Sequence, residues 1–154
     1  MIKANVILHS VVWKKYLKNP NSFIGKKVKL FNKKSKLYKK NIFIFSLLLS
    51  RSKEIKKLNK KFRKMNKSTD VLSFPFYKKE HLKKMIKRNK EVYIGDIIVN
   101  LDSIKDKKKK IKFQEEFNKL WIHGLAHLFG HKHKKNQDFF IMQSIERKYL
   151  KYIN

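Results

Sequence analysis

The chain has 154 residues, and its 41 Lys and Arg against 11 Asp and Glu give a formal net charge of +30. It contains no cysteine, which excludes a disulfide scaffold, a thiolate metal site and a cysteine nucleophile, and leaves any metal to His, Asp or Glu. A hydrophobic share of 42% is too high for a disordered basic tail, so residues 1–154 read as one folded cationic domain whose charge points to a polyanion: RNA, DNA or an anionic membrane.

Residues 2–8 mix β-branched and apolar side chains and predict a strand. Residues 11–30 break at Pro20 and Gly25, with short helical pieces on either side, and residues 33–40 form a lysine-rich connection. The apolar, aromatic run 41–49 lies between polar flanks and predicts a buried strand. Ser50 or Ser52 caps a helix over about 53–64, with Ile55, Leu58 and Phe62 on one side. Residues 71–74 are a short strand ended by Pro75, 77–90 a charged loop with some helix, and 92–100 a strand in which Gly95 marks a bulge or close backbone approach. A long helix over about 106–129 places Phe113, Phe117, Leu120, Trp121, Gly124 and Leu128 on one stripe, and Gly130 stops it in the left-handed conformation. A last helix over about 138–152 offers Phe139, Met142, Ile145 and Leu150 to the core. The order predicts an α+β fold, a mixed four-stranded sheet covered by helices.

The longest apolar run is far short of the roughly 20 residues of a spanning helix, and the N-terminus lacks a cleavable leader pattern, so a cytoplasmic protein is expected. The basic surplus is almost all lysine, which also describes an ordinary solvated surface. The four arginines, Arg51, Arg63, Arg88 and Arg147, are therefore the more informative cations.

Four of the six histidines, His123, His127, His131 and His133, fall in the segment HGLAHLFGHKH. His123 and His127 share one helical face at the edge of the apolar stripe. Two such nitrogens are half of a tetrahedral zinc site, and a chain reversed at Gly130 returns His133 beside them, giving three imidazoles and one open position. An uninterrupted helix would offer His131 instead of His133; Gly130 argues against that continuation. The spacing H-x3-H-x2-G-x2-H is that of the metzincin metallopeptidases, but Gly124 stands where those enzymes carry Glu as general base. Sites of three imidazoles also accept nickel, cobalt and copper.

The segment resembles the signature HGxLHLxGYDH of the YbeY endoribonucleases, bacterial rRNA maturation factors. His123, Gly124, His127, Leu128, Gly130 and His133 match it; Ala126 replaces the usual Leu, and His131 and Lys132 stand where Tyr and Asp are usual. Leu58, Asn59, Phe62 and Arg63 leading into Ser68-Thr69-Asp70-Val71-Leu72-Ser73-Phe74-Pro75 resemble the family's LNxxYRxxxxxTDVLSFP. Residues 93–99 resemble its LGDIxI strand, and Met142 and Glu146 fit its last helix. The likeness covers about 55–150; the first 50 residues match only in general pattern.

The resemblance implies a zinc-dependent, single-strand-specific endoribonuclease with one Zn2+ on His123, His127 and His133, acting in 16S rRNA 3′-end maturation and ribosome quality control. It implies Arg63 and His123 as catalytic groups and Arg63 and Ser73 as substrate-binding. The partner implied is single-stranded RNA, within small-subunit rRNA or the ribosome. A guanidinium fork suits a phosphate better than a flexible ammonium does. Asp70 and Asp96 read as structural carboxylates. The competing readings are a metzincin-like metallopeptidase, opposed by Gly124, and a non-catalytic ribosome-associated RNA-binding protein with a structural metal, for which His131 is the nearby fourth ligand.

Overall fold

The computed structural model describes the backbone of residues 1–35, 40–131 and 136–154, and the side chains of all of these but 136 and 137. In chain order the elements are β1 (Ile2–Leu8), a 3-10 turn (Val11–Lys15), α1 (Pro20–Lys34), β2 (Ile42–Ser50), α2 (Ser52–Arg63), β3 (Val71–Pro75), α3 (Lys79–Arg88), β4 (Glu91–Asn100), a second 3-10 turn (Leu101–Ser103), α4 (Lys110–Leu128) and α5 (Asn136–Ile153). The sheet order is β1-β2-β4-β3, with β1, β2 and β4 parallel and β3 an antiparallel edge. This is the mixed four-stranded sheet of the α+β expectation. Among the described residues no helix is long and apolar enough to cross a membrane.

Alternation along β2 divides the molecule into layers. Phe43, Phe45, Leu47 and Leu49 point to one face and are fully buried in the main core with Trp13, Phe31, Phe117 and Trp121. Leu48 points to the other, where Ile55 and Leu58 of α2 close over Leu72 and Ile98.

Two expectations are corrected here. Gly25 does not divide the N-terminal region: α1 runs through it, because Asn19 caps the helix by accepting the Ser22 N–H at 2.9 Å, Pro20 opens it, and burial of Ile24 and Phe31 outweighs the roughly 1 kcal/mol that a helical glycine costs. On α5 the buried stripe is Met142, Tyr149 and Ile153, while Phe139 is exposed and Ile145 and Leu150 pack only at the margin.

The start of α2 is held from a distance. Arg51 occupies the N-cap with no side-chain cap of its own, and neither Ser50 nor Ser52 fills that role. Instead Asp102, after β4, accepts the Ser52 N–H at 2.9 Å and the Arg51 Nε–H at 3.0 Å. Buried Asn100 ties the same junction: its Nδ2 donates to the Thr69 carbonyl at 2.9 Å and Ser68 Oγ at 3.1 Å, and its Oδ1 accepts from the Asp102 N–H at 3.0 Å and the Ser52 hydroxyl at 3.3 Å. Burial alone would raise the Asp102 pKa, but the Ser52 N–H and the Arg51 guanidinium together hold it below the usual carboxylate value. A depressed folded-state pKa contributes stability that is fully present above the unfolded value, about 3.9, and is lost as pH falls through the lower folded value. Asp102→Asn is therefore expected to cost about 1 kcal/mol at pH 7, as an exposed cap does, and less in acid. Urea titrations of both proteins at pH 7 and pH 3 check this; a cost that does not shrink in acid would remove the charge from the explanation.

Candidate metal centre

α4 lies close on the sheet because a glycine lets it. A Cβ on Gly124 would stand 2.6 Å from Cγ2 of Ile97 on β4. The position that carries Glu in the metzincin pattern is thus turned into the sheet, and a base there would be driven into Ile97. His123 and His127 flank this contact, one helical turn apart, at the edge of the buried stripe.

The helix then stops as Gly130 predicts. Gly130 has φ +85°, its N–H bonds the His127 carbonyl at 2.9 Å, and the His131 N–H bonds the Ala126 carbonyl at 3.1 Å. This pair of bonds is a Schellman motif, satisfying carbonyls that the helix end would leave unpaired. The reversal swings the His131 carbonyl back onto His127, whose Nδ1 bonds it at 2.8 Å. A carbonyl only accepts, so Nδ1 carries the proton and Nε2 of the neutral ring is an electron-pair donor.

His123 is oriented in the same way from another helix. Its Nδ1 lies 2.7 Å from Glu146 Oε1 of α5. With Nδ1–H donating to the carboxylate, Nε2 is the nitrogen turned toward His127. The two Nε2 atoms converge to 3.0 Å. A zinc–nitrogen bond is about 2.0–2.1 Å, so one ion reaches both, and each imidazole has the outer hydrogen bond that metal-binding histidines characteristically make. The donor set fits a divalent ion of zinc type. Among the described residues no three His, Asp or Glu side chains form a metal-holding group, and the third expected ligand, His133, lies outside them. His131 contributes its carbonyl, while its ring lines a small cavity with Lys79, Leu82, Phe129 and Tyr149. Burial and the Lys79 charge lower its pKa.

Arg63 and Ser73 are brought together, though not as two independent substrate groups. The Asn100 N–H bonds the Asp70 carbonyl and the Phe76 N–H bonds the Ile94 carbonyl, so the even-numbered residues of β3 bond β4 and the odd-numbered ones face the open edge. Arg63 Nη2 donates to the outward Ser73 carbonyl at 3.1 Å, and its guanidinium lies 5.8 Å from the Phe74 ring centre. Ser73 pairs with Ile97, the residue under Gly124, so this pair occupies the strand beside the one that supports the histidines. Asp70 and Asp96 have structural partners: Asp70 Oδ1 accepts from the Val71 N–H and the Thr69 hydroxyl, and Asp96 accepts from the Tyr93 hydroxyl at 2.6 Å.

Comparison with known proteins accounts for this arrangement. The family model for endoribonuclease YbeY matches residues 13–154. Over 142 residues, 90% of this chain and 88% of the relative, the chain is 41% identical to the endoribonuclease YbeY of Pelagibacter ubique (strain HTCC1062). The chain belongs to the YbeY family. YbeY proteins are metal-dependent endoribonucleases, so the family reading carries nuclease chemistry, metal binding and rRNA processing. A shorter likeness, 35% identity over 66 residues and 42% of this chain and 43% of the relative, links it to the endoribonuclease YbeY of Ehrlichia chaffeensis. The solution structure of TM1509 from Thermotoga maritima superposes with a TM-score of 0.58 at 25% identity, covering 99% of this chain and 89% of that one. The YbeY match begins at residue 13, so most of the N-terminal third, where motifs are scarce, belongs to the family fold.

In this YbeY chain the role of Glu146 is what sequence reasoning missed. Its match to the family's last helix assigns it no task. The signal was its position: Met142, Glu146, Tyr149 and Ile153 share one face of α5, and a carboxylate on an otherwise buried stripe calls for a partner. Glu146→Ala is expected to lower affinity for a divalent metal ion 10- to 100-fold, as loss of an outer hydrogen bond to a ligating histidine does, and Glu146→Gln, which keeps an acceptor, less. Competition with a chromophoric chelator measures both; unchanged affinity in the alanine variant would rule out the orienting role.

Proposed function

We propose that residues 1–154 form one zinc-dependent, single-strand-specific endoribonuclease domain, cytoplasmic, acting in 16S rRNA 3′-end maturation and ribosome quality control. The observation that carries this reading is the convergence of His123 Nε2 and His127 Nε2 at 3.0 Å, each ring held by an acceptor at its opposite nitrogen. We assign His123, His127 and His133 as the metal ligands. The ion would supply Lewis acidity toward a phosphodiester and activate a water at neutral pH. His123 and Arg63 are the groups assigned to catalysis: His123 would act through the ion, which its Nε2 would hold while Nδ1 is bonded to Glu146, and Arg63 would act on the reacting phosphate through a guanidinium that the Ser73 carbonyl holds in one orientation, with further N–H groups for phosphate oxygens. Ser73, itself buried, acts on the substrate strand through the Arg63 guanidinium that its carbonyl holds, and the surrounding lysines add salt-sensitive attraction to the backbone. Small-subunit rRNA, free or in the ribosome, is the partner this reading assigns. The peptidase alternative is opposed by Gly124, whose substituent would collide with Ile97.

The test is incubation of the purified chain with single-stranded rRNA fragments, with the same sequences in duplex, and with unfolded protein, each with and without chelator. Metal-dependent cutting of single strands alone is expected. Proteolysis without RNA cleavage would overturn the reading, and so would tight RNA binding without turnover that chelator leaves unchanged.

A further inference from the structure

The α2 face of the sheet is only partly covered. Among the described residues α2 closes over Leu48, Leu72 and Ile98, while beyond its C-terminal end Lys3, Asn5 and Ile7 of β1 are exposed on the same face. On the open part stands a row of aromatic rings. Phe62, at the end of α2, packs edge-on against Phe74 with ring centres 5.3 Å apart. Phe76 follows two residues along the strand direction, on the same face, and packs against Tyr93 at 5.6 Å. Tyr93 is itself fixed by bonds to Asp96 and Ser46. Phe62 and Phe76 are 58% and 63% exposed, which is unusual for phenyl rings with a core nearby to enter.

The charges around this row indicate what covers it. Lys61 Nζ is 5.3 Å from the Phe62 ring centre and Arg63 5.8 Å from that of Phe74. The carboxylates nearby are engaged: Asp96 is bonded to Tyr93, and Glu91, on the same face of β4, is paired with Lys3 of β1 at 3.4 Å. Apolar rings rimmed by cations match a ligand with flat π-faces joined by phosphates, and an unpaired strand of RNA is that ligand. A protein interface would need an apolar core within roughly 800 Å² of surface on each partner, whereas here the rings are few and interleaved with cations.

Arg63 joins the two faces, because it lies over Phe74 while bonding the outward Ser73 carbonyl on the open edge of β3. The strand is blunted at that edge by Pro75, which has no N–H to offer another strand.

We propose that Phe62, Phe74, Phe76 and Tyr93 form a second RNA-binding surface, on which unpaired bases stack while the same strand passes over the β3 edge to the histidines. The inference rests on the RNA-cleaving function proposed above, and it gives that site a source of single-strand selectivity: bases in a duplex do not present their faces to a protein platform.

The test uses the full chain in chelator, so that RNA is bound but not cut, with a short fluorescent single-stranded oligoadenylate and a duplex as probes. Phe62→Leu with Phe76→Leu keeps apolar bulk but removes the rings, and is expected to weaken single-strand binding roughly ten-fold or more, the scale of one lost base–aromatic stack. Duplex affinity and the slope of log affinity against log salt stay unchanged, since no phosphate contact is lost. Phe62→Leu with Phe76→Trp is expected to regain most of the lost binding and to show tryptophan quenching by the single strand only. Equal single-strand affinity in the double-leucine variant, from a wild type that cuts RNA, overturns the platform. So does self-association in sedimentation that disappears in that variant while RNA affinity holds. A wild type that cuts no RNA with metal present is a different result, and it overturns the catalytic reading instead. Thermal melting within a degree or two of wild type shows that both variants are folded.

Discussion

His127→Ala is expected to abolish RNA cleavage, by at least 10²–10³-fold, while the chain stays folded. Loss of a mere outer partner of a metal-binding histidine costs 10- to 100-fold, so loss of the donor nitrogen itself should cost more. The fold survives because the hydrogen bonds that end α4, from Gly130 to the His127 carbonyl and from His131 to the Ala126 carbonyl, are made by backbone. The ring's bond to the His131 carbonyl and its edge-on contact with the His123 ring are lost, each a matter of about 1 kcal/mol. The informative partner is His131→Ala. It keeps the carbonyl that orients His127 and deletes a ring that lines the cavity beside Lys79, so activity and bound metal should remain within a few-fold of wild type. Metal content and kcat/KM of the two variants, prepared in parallel to exclude contaminating nuclease, decide the matter. If His131→Ala loses metal as completely as His127→Ala, the ligand set is the one an uninterrupted helix would have offered.

What sequence reveals about this chain is what short-range geometry decides. The histidines lie four residues apart on one helix, so their common face follows from helical pitch alone. The stripe on α4 and the left-handed Gly130 follow from equally local rules, and each is where the pattern predicts. The continuous α1 was hidden because glycine reads as a breaker wherever its neighbours are ignored, and only the burial of Ile24 and Phe31 reverses that. Asp102 capping α2 was hidden for the opposite reason: Ser50 and Ser52 are good local caps, but a carboxylate fifty residues away in sequence reaches the Ser52 N–H first. Glu146 belongs with it, since its partner His123 is on another helix. The Arg63 contact to the Ser73 carbonyl has no side-chain signature at all, because its acceptor is backbone.

Gly95→Ala is the second large effect, acting on stability rather than chemistry. Gly95 has φ +132°, a region that side-chain-bearing residues scarcely adopt. It also marks the register shift at which β4 pairs with Ile44 and Phe45. An added Cβ would stand 2.2 Å from the Phe74 carbonyl oxygen, 3.0 Å from the Phe76 nitrogen and 3.1 Å from Cδ2 of Leu128. Two of these neighbours are backbone and cannot swing aside, so β3 must move or the bulge must unwind. Backbone strain of 1–3 kcal/mol and overpacking of similar size together suggest a loss of about 3–5 kcal/mol, a large share of the roughly 5–15 kcal/mol that holds a typical domain. Displacement of Leu128 would also reach the candidate metal site, since Leu128 follows His127 directly. Gly25→Ala should do the reverse. Gly25 has nothing within 4 Å of a built Cβ and lies inside α1, so alanine is expected to stabilise by about 0.5–1 kcal/mol. Urea unfolding of the two variants beside wild type separates crowding from a general intolerance of glycine replacement. A Gly95→Ala protein within about 1 kcal/mol of wild type would mean that β3 yields at the bulge and does not fix the strand beside the histidines, and the same protein's zinc affinity would then show whether α4 had moved with it.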